Sequence, residues 1–273
     1  MVTRGSKIIA MGHYQPARVL TNDEIAQMVD TNDEWIRDRV GIVTRRIADT
    51  ESVADMAAAA AGKALANSGL SAAEIDLVTV ATCSSVDRCP NVATRVAAKL
   101  GIASPAAYDL NTACSGYEYA GAAVVTGVAD DEEPGIGPVM WGSAPDKSDV
   151  ITIEGWRPYI QQSGQTVFRW ATFALPALAE RACAAAGITP RDLAAFVPHQ
   201  ANLRIIEPLA RKLGVVDAVV AKDIVESGNT SAASVPLALS KLVERREIPS
   251  GAPVLLFGFG GGLTYAGQVV RCP

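Results

Sequence analysis

The segment ALANSGLSAAEIDLVTVAT (residues 64–82) returns further along the chain as ACAAAGITPRDLAAFVPHQ (182–200). Both copies read alike. An Ala-rich helix stops at a glycine, Gly69 or Gly187, placed to take the left-handed C-cap conformation. A polar turn follows, and then an apolar run of strand length. Each copy next enters a helix ending in the same tripeptide, Lys99-Leu100-Gly101 and Lys212-Leu213-Gly214. Later, Gly121-Ala-Ala-Val-Val125 resembles Ala266-Gly-Gln-Val-Val270. Two similar halves packed about a pseudo-two-fold axis explain this; chance likeness between Ala-rich helix–strand units is the alternative. The halves are expected to divide at residues 1–130 and 131–273.

Working outward, the periodicity predicts helices over Val53–Ser68, Asn91–Leu100, Phe168–Ala186 (with Pro176 inside), Leu203–Leu213 and Val235–Arg245. Strands are predicted over Ile75–Thr82, Ala107–Leu110, Leu193–Val197 and Val254–Phe259. Strands alternating with helices give an α/β fold with buried sheets. Hydrophobic residues make up 49% of the 273, enough for a large core. A formal net charge of −5 argues against a general nucleic-acid binder. No apolar run is long enough to suggest a membrane span, and Met1 to Gly12 does not read as a signal peptide. The five cysteines fit neither a zinc site nor a disulfide framework, so a cytoplasmic setting is expected.

The repeat also exposes a deficit. The second half runs 55 positions from Gly214 to Val269 (269 − 214), whereas the first runs 23 from Gly101 to Val124 (124 − 101). The first half is thus about 32 residues short by its own internal standard. The second half uses that stretch for a helix and the strand Val254–Phe259. Without a counterpart, the first sheet is left with unpaired backbone groups. Either this half is genuinely reduced, or the backbone is discontinuous after Ala120 or within a few residues of it; the second is expected.

Three loops hold residues suited to chemistry. Cys114, in Asp109-Leu-Asn-Thr-Ala-Cys-Ser-Gly116, sits where a strand turns into an expected helix start. There the helix dipole and free N–H groups favour the reactive thiolate; a small buried core cysteine is the ordinary alternative. His199, in Val197-Pro-His-Gln-Ala-Asn202, ends a strand, the place where α/β sheets gather ligands. Asn229, in Ser227-Gly-Asn-Thr-Ser-Ala-Ala-Ser234, follows a strand as Cys114 does, although Gly-Asn-Thr-Ser is also good turn chemistry. The run Gly260-Gly261-Gly262 lets backbone approach a ligand and offers an oxyanion donor. It lies between strands, so it is not a nucleotide-binding fingerprint.

Taken together and in order, NTACSGYEYA, VPHQANLRII, SGNTSAAS and GFGGGLTYA resemble the β-ketoacyl-acyl-carrier-protein synthase III family. Asn32-Asp-Glu-Trp-Ile-Arg37 and Gly164-Gln-Thr-Val-Phe-Arg169 belong to the same pattern. The resemblance implies a thiolase-like duplicated fold, layered α-β-α-β-α. It implies a Cys114–His199–Asn229 triad, with the N–H groups of Cys114 and Gly261 as the oxyanion hole. It further implies a homodimer that takes acyl-CoA and an acyl carrier protein, without a metal or other cofactor. Trp35, Arg37 and Arg39 are the expected CoA contacts. Gln200, Arg204, Arg211, Lys212 and Arg169 are the expected carrier-protein contacts, and Cys89 an acyl-pocket residue. The family normally carries a longer stretch at Ala120–Gly121, holding an edge strand of the dimer interface, part of the acyl pocket and an arginine facing the CoA adenine. It is also normally longer between Ser148 and Ser163, where the resemblance implies a second discontinuity.

The implied reaction acylates Cys114 from acyl-CoA. Malonyl carried on acyl carrier protein then loses CO₂, and the enolate attacks the acyl-cysteine. Two alternatives stay open. A thiolase would need a second cysteine as acid/base, and Cys272 lies beyond the last strand. A non-catalytic ketosynthase-like partner subunit would ordinarily have lost the nucleophile.

Overall fold

The computed structural model describes residues 5–85, 87, 89–115, 124–129, 134–154 and 159–273. The chain opens with β1 (Ser6–Met11), β2 (Val19–Thr21), α1 (Asn22–Ala26), α2 (Asp33–Arg39) and β3 (Thr44–Arg46). Then comes α3 (Val53–Ser68), which starts at a capping box of Ser52 with Asp55. It ends on Gly69 at φ 73°, a conformation that is costly for a residue with a Cβ. β4 (Leu77–Ala81), α4 (Val92–Leu100), β5 (Ala106–Leu110) and β6 (Val124–Val128) complete this part. Asp109 on β5 accepts from the N–H groups of Val92 and Ala93, each at 2.8 Å, pinning the start of α4 to the strand that leads to Cys114.

The second part runs through β7 (Ile136–Ser143), β8 (Ile151–Ile153), β9 (Ile160–Gln162), α5 (Gly164–Phe173) and α6 (Leu175–Ala185). It continues with β10 (Ala195–Pro198), α7 (Leu203–Leu213), β11 (Val219–Val220) and α8 (Ile224–Ser227). α9 (Ser234–Glu244), β12 (Pro253–Gly260) and β13 (Thr264–Arg271) close it. The single helix expected over Phe168–Ala186 is two helices that meet at Ala174. Pro176 lies in the first turn of α6, where its missing N–H costs nothing; inside a longer helix it would remove a hydrogen bond.

The repeat is realised as α3-β4-α4-β5 and α6-β10-α7-β11. β4 pairs with β5 in parallel, and β10 with β11 in parallel. The second part forms a five-stranded sheet in the order β11-β10-β12-β13-β7. β12 is parallel to β10 and antiparallel to β13, and β13 is antiparallel to β7. In the first part β5-β4 and β6-β1 form separate two-stranded pieces, with β1 antiparallel to β6. Superposed on the second sheet's order, the strand with no counterpart among the described residues is β12, the central one, as the repeat predicts.

The expected discontinuity at Ala120–Gly121 lies outside the described residues. Of the stretch between Ser148 and Ser163, where the second is expected, residues 155–158 also lie outside the described residues. On either side of them β8 and β9 pair antiparallel, and the Ser163 N–H donates to the Val150 carbonyl at 2.9 Å.

The layers follow from burial. α9 is buried from Ser234 through Leu242 and packs with Val254 and Leu256 on one face of β12, and with Ile8 and Met11 of β1. The other face of β12 presents Leu255, Phe257 and Phe259 to α6 and α7. α3 and α4 pack on each other outside the first-half strands through Ala54, Ala58, Val92 and Val96. The result is the α-β-α-β-α stack. Among the described residues, no helix is long and apolar enough to cross a membrane.

Candidate active site

Cys114 sits in a 3₁₀ turn, Ala113–Ser115, directly after β5. The turn is tight. Asn111 Oδ1 accepts from the Ala113 N–H at 3.1 Å, and Ala113 takes φ 47°, the left-handed region that an alanine enters only under constraint. Ser115 is buried, donates to the Thr112 carbonyl at 2.9 Å and meets Thr264 Oγ1 at 2.8 Å, fastening the turn to β13. The end of β12 presses on the nucleophile so closely that a Cβ on Gly260 would lie 2.6 Å from the Cys114 Cβ, which explains the glycine. The backbone of Gly261 hydrogen-bonds the Cys114 thiol, and Ser231 Oγ lies 3.6 Å from its sulfur.

The thiolate expected at a helix N-terminus is not the dominant effect here. Burial pushes the Cys114 thiol above its ordinary value, while the Ser231 and Gly261 hydrogen bonds pull the other way. Residues 116–120, where that helix would begin, lie outside the described residues.

His199 is buried at the end of β10. Its N–H donates to the Phe257 carbonyl at 2.8 Å, and Phe259 meets its ring edge-on at 5.3 Å. Nδ1 lies 2.6 Å from Ser234 Oγ. Burial pushes the imidazole down to about 3, so the ring is neutral at physiological pH. The other histidine, His13, is engaged away from this site with Ser240 and Glu244.

Asn229 is exposed, and its Oδ1 accepts from the Ser231 N–H at 2.9 Å. That bond commits the acceptor end of the amide inward and leaves Nδ2 with no partner among the described residues. No hydrogen bond joins the Cys114, His199 and Asn229 side chains directly. They are gathered by two shared supports: the loop carrying Asn229, Ser231 and Ser234, and the Phe259-Gly260-Gly261 end of β12. Two of the three buried hydroxyls that find no partner among the described residues, on Thr112 and Thr230, flank Cys114 and Asn229. Unpaired buried polar groups concentrate where function overrides packing.

The remaining expectations divide. Trp35 is 53% exposed on α2. Arg37 is held by Asp33 one turn back and Arg39 lies 3.6 Å from Asp38. α2 is tied to the segment after His199, because Leu203 N–H donates to the Val40 carbonyl and Asn202 Nδ2 to the Arg39 carbonyl, both at 3.0 Å. Arg204, Arg211 and Lys212 are exposed on α7, and Arg169 is exposed on α5, which packs against it. Lys212 is partly engaged, with Nζ 2.7 Å from the Thr172 carbonyl and above the Phe173 ring. Gln200 is a correction. It is buried, and its amide bonds the carbonyls of Pro198 and Ala221 and the N–H of Ile224. It braces the His199 loop and cannot touch a protein partner. Cys89 is exposed on the loop between β4 and α4.

That same loop carries a residue the sequence reading passed over. Cys83 lies 3.9 Å from the Ser231 hydroxyl that also meets Cys114. It, and not Cys272, is the second thiol near the nucleophile; Cys272 is buried against the Ile248 carbonyl. Ser231 and Ser234 were legible only as the serines two and five positions beyond Asn229.

A duplicated α-β-α-β-α fold that sets a cysteine from one half against a histidine and an asparagine from the other defines the thiolase-like class. Comparison with known proteins narrows the class. Residues 183–272 match the family model described as 3-oxoacyl-[acyl-carrier-protein] synthase III, C terminal. A Streptomyces coelicolor protein named β-ketoacyl-[acyl-carrier-protein] synthase III 4 is 55% identical, with 99% of each chain covered. That alignment runs over 314 residues, more than the 273 of the chain, so the relative carries residues with no counterpart here. Among solved structures, the priming β-ketosynthase of the R1128 polyketide biosynthetic pathway superposes with TM-score 0.95 at 36% identity, covering 99% of this chain and 97% of that one. The 3-oxoacyl-[acyl-carrier-protein] synthase III of Aquifex aeolicus VF5 gives TM-score 0.93 at 32% identity, covering 98% of this chain and all of that one. The chain belongs to the β-ketoacyl-acyl-carrier-protein synthase III family.

Proposed function

We propose that the chain is a ketosynthase of type III that acylates Cys114 from an acyl-CoA and then condenses the acyl group with malonyl carried on an acyl carrier protein. The observation that carries this reading is the meeting of Cys114, the Gly261 backbone and the loop of Asn229, Ser231 and Ser234 beside a buried, neutral His199. In the first step the Cys114 sulfur attacks the thioester carbonyl, the C–S bond to CoA breaks, and CoA leaves with the thiol proton. The Cys114 and Gly261 N–H groups hold the oxyanion. In the second, the malonyl C–C bond breaks to release CO₂, and the electron pair passes to the thioester oxygen as an enolate.

His199 Nε2 and Asn229 Nδ2 donate to that oxygen. Ser234 Oγ accepts from the Gln200 N–H at 3.2 Å and turns its own hydrogen toward His199 Nδ1, which keeps the imidazole hydrogen on Nε2. The enolate carbon then attacks the acyl-cysteine and releases the thiolate, giving a 3-oxoacyl carrier protein. The steps need no metal or redox cofactor.

Trp35, Arg37 and Arg39 are assigned to CoA, and Arg204, Arg211, Lys212 and Arg169 to the acidic carrier protein. We assign the chain to a cytoplasmic homodimer, in keeping with its five unpaired cysteines. The test is intact-protein and peptide mass spectrometry after mixing with a panel of acyl-CoAs, followed by malonyl carrier protein. An acyl adduct on Cys114 that disappears as 3-oxoacyl carrier protein forms supports the reading. No adduct with any acyl-CoA defeats it.

A further inference from the structure

Among the described residues the first half is open at its centre, and the opening has the form of a strand site. A cleft of about 300 Å³ lies between Leu77, Val78 and Thr79 of β4 on one wall and Val124, Val125 and Thr126 of β6 on the other, roofed by α3 and α4. Successive side chains of a strand point to opposite faces, so three consecutive residues lining each wall means that the strand edges themselves face the cleft. Among the described residues, β4 pairs only with β5 and β6 only with β1. Among those residues their facing edges have no partner strand, a recognised template for strand addition.

We infer that this cleft takes one extended apolar segment in trans, parallel to β4 and antiparallel to β6, in the place that β12 holds between β10 and β13. The second half supplies the pattern. β12 is apolar at consecutive positions because it is covered on both faces, and a segment in the first half's central position meets α3 and α4 on one side and the interior on the other. Orientation follows from charge. Glu74 and Asp76 line the cleft just before β4, so the incoming segment's N-terminal end should be basic. The relatives' longer alignment accords with a segment that this chain does not itself provide. The inference stands apart from the proposed reaction, since its readout is strand pairing and not turnover.

The probe is a fluorescent peptide copying residues 253–259 behind two added lysines. Its control carries proline at the Leu255 and Phe257 positions and cannot donate those backbone N–H groups. Anisotropy should show saturable one-to-one binding of the first peptide and none of the second. Hydrogen exchange should slow at least about tenfold at the amides of β4 and β6, with β5 and β7 unchanged. The inference is overturned by an absence of saturable binding, by equal binding of the proline peptide, or by protection at β5 or β7 instead. It is equally overturned by a chromatographically stable dimer in which β4 and β6 are already protected before peptide is added.

Discussion

At Cys114 two neighbours compete with burial for the charge state of one sulfur, and burial dominates. Alkylation by iodoacetamide should therefore be slow at neutral pH and climb above the usual thiol range, a trend that Ser231→Ala should exaggerate. Cys114→Ala should abolish the acyl adduct while leaving the circular dichroism spectrum unchanged. An adduct that persisted on Cys83 would move the nucleophile to the neighbouring loop. His199→Ala and Asn229→Ala should still be acylated from CoA yet lose malonyl decarboxylation by roughly 10²–10³ each, the usual effect of removing one oxyanion donor. Radiolabelled CO₂ release separates the two steps. His199 also links stability to pH. Its folded value is pushed to about 3 from 6.5, so the unfolded chain binds the proton first. Its contribution is fully present above pH 6.5 and is lost as pH falls from there toward about 3. Urea midpoints at about pH 5 and about pH 7.5 should differ less in His199→Gln than in the parent.

Among the elements, α9 is the most exacting, because it lies between layers with hardly an exposed side. It nevertheless carries a cation. Lys241 Nζ pairs with Asp223 at 2.6 Å and donates to Ser227 Oγ at 2.8 Å, with both charged side chains close to fully buried. Removing one partner leaves a buried charge uncompensated. Asp223→Ala should cost on the order of 3–5 kcal/mol by chemical denaturation, whereas a paired change of Asp223 and Lys241 to apolar residues should recover most of it. The pair joins α9 to the loop that ends in Asn229, so the single variant should also impair decarboxylation more than acylation. β12 is exacting for a different reason. It carries the second sheet's centre and delivers Phe259 to His199 and Gly260 to Cys114, so one strand serves both packing and chemistry.

Across the whole molecule the two halves share a plan, but among the described residues only the second completes its sheet. The second sheet has five strands and an interior in which Phe196, Leu255 and Phe257 are fully buried. The described strands of the first half come in pairs, and Leu77 on β4 is 51% exposed. Fewer buried apolar contacts and open strand edges lower the free energy of local opening. Amides of β4 and β5 should exchange at least about tenfold faster than those of β10 and β12, and exchange of the two halves should respond separately to low denaturant. Coincident exchange at every denaturant concentration would show that the halves open as one unit.

Local signals that repeat and that obey short-range sterics were readable before any coordinates: the helix-ending Gly69 and Gly214, the alternation of helix and strand, the shortfall between Gly101 and Val124, and the loops of Cys114, His199 and Asn229. Each depends on neighbours in sequence, and the duplication doubled the signal. Tertiary structure decided what depends on neighbours in space. It made Gln200 a brace inside the protein, because its amide meets three backbone groups from separate elements. It brought Cys83 to the nucleophile's side across Ser231, a relation between residues 31 apart and a third 117 beyond Cys114 that no periodicity encodes. It split one expected helix at Ala174 and paired β8 with β9 across the stretch between Ser148 and Ser163. It also set the order β11-β10-β12-β13-β7, since strand order is decided by which edges pair across the chain and not by the order in which the strands are written.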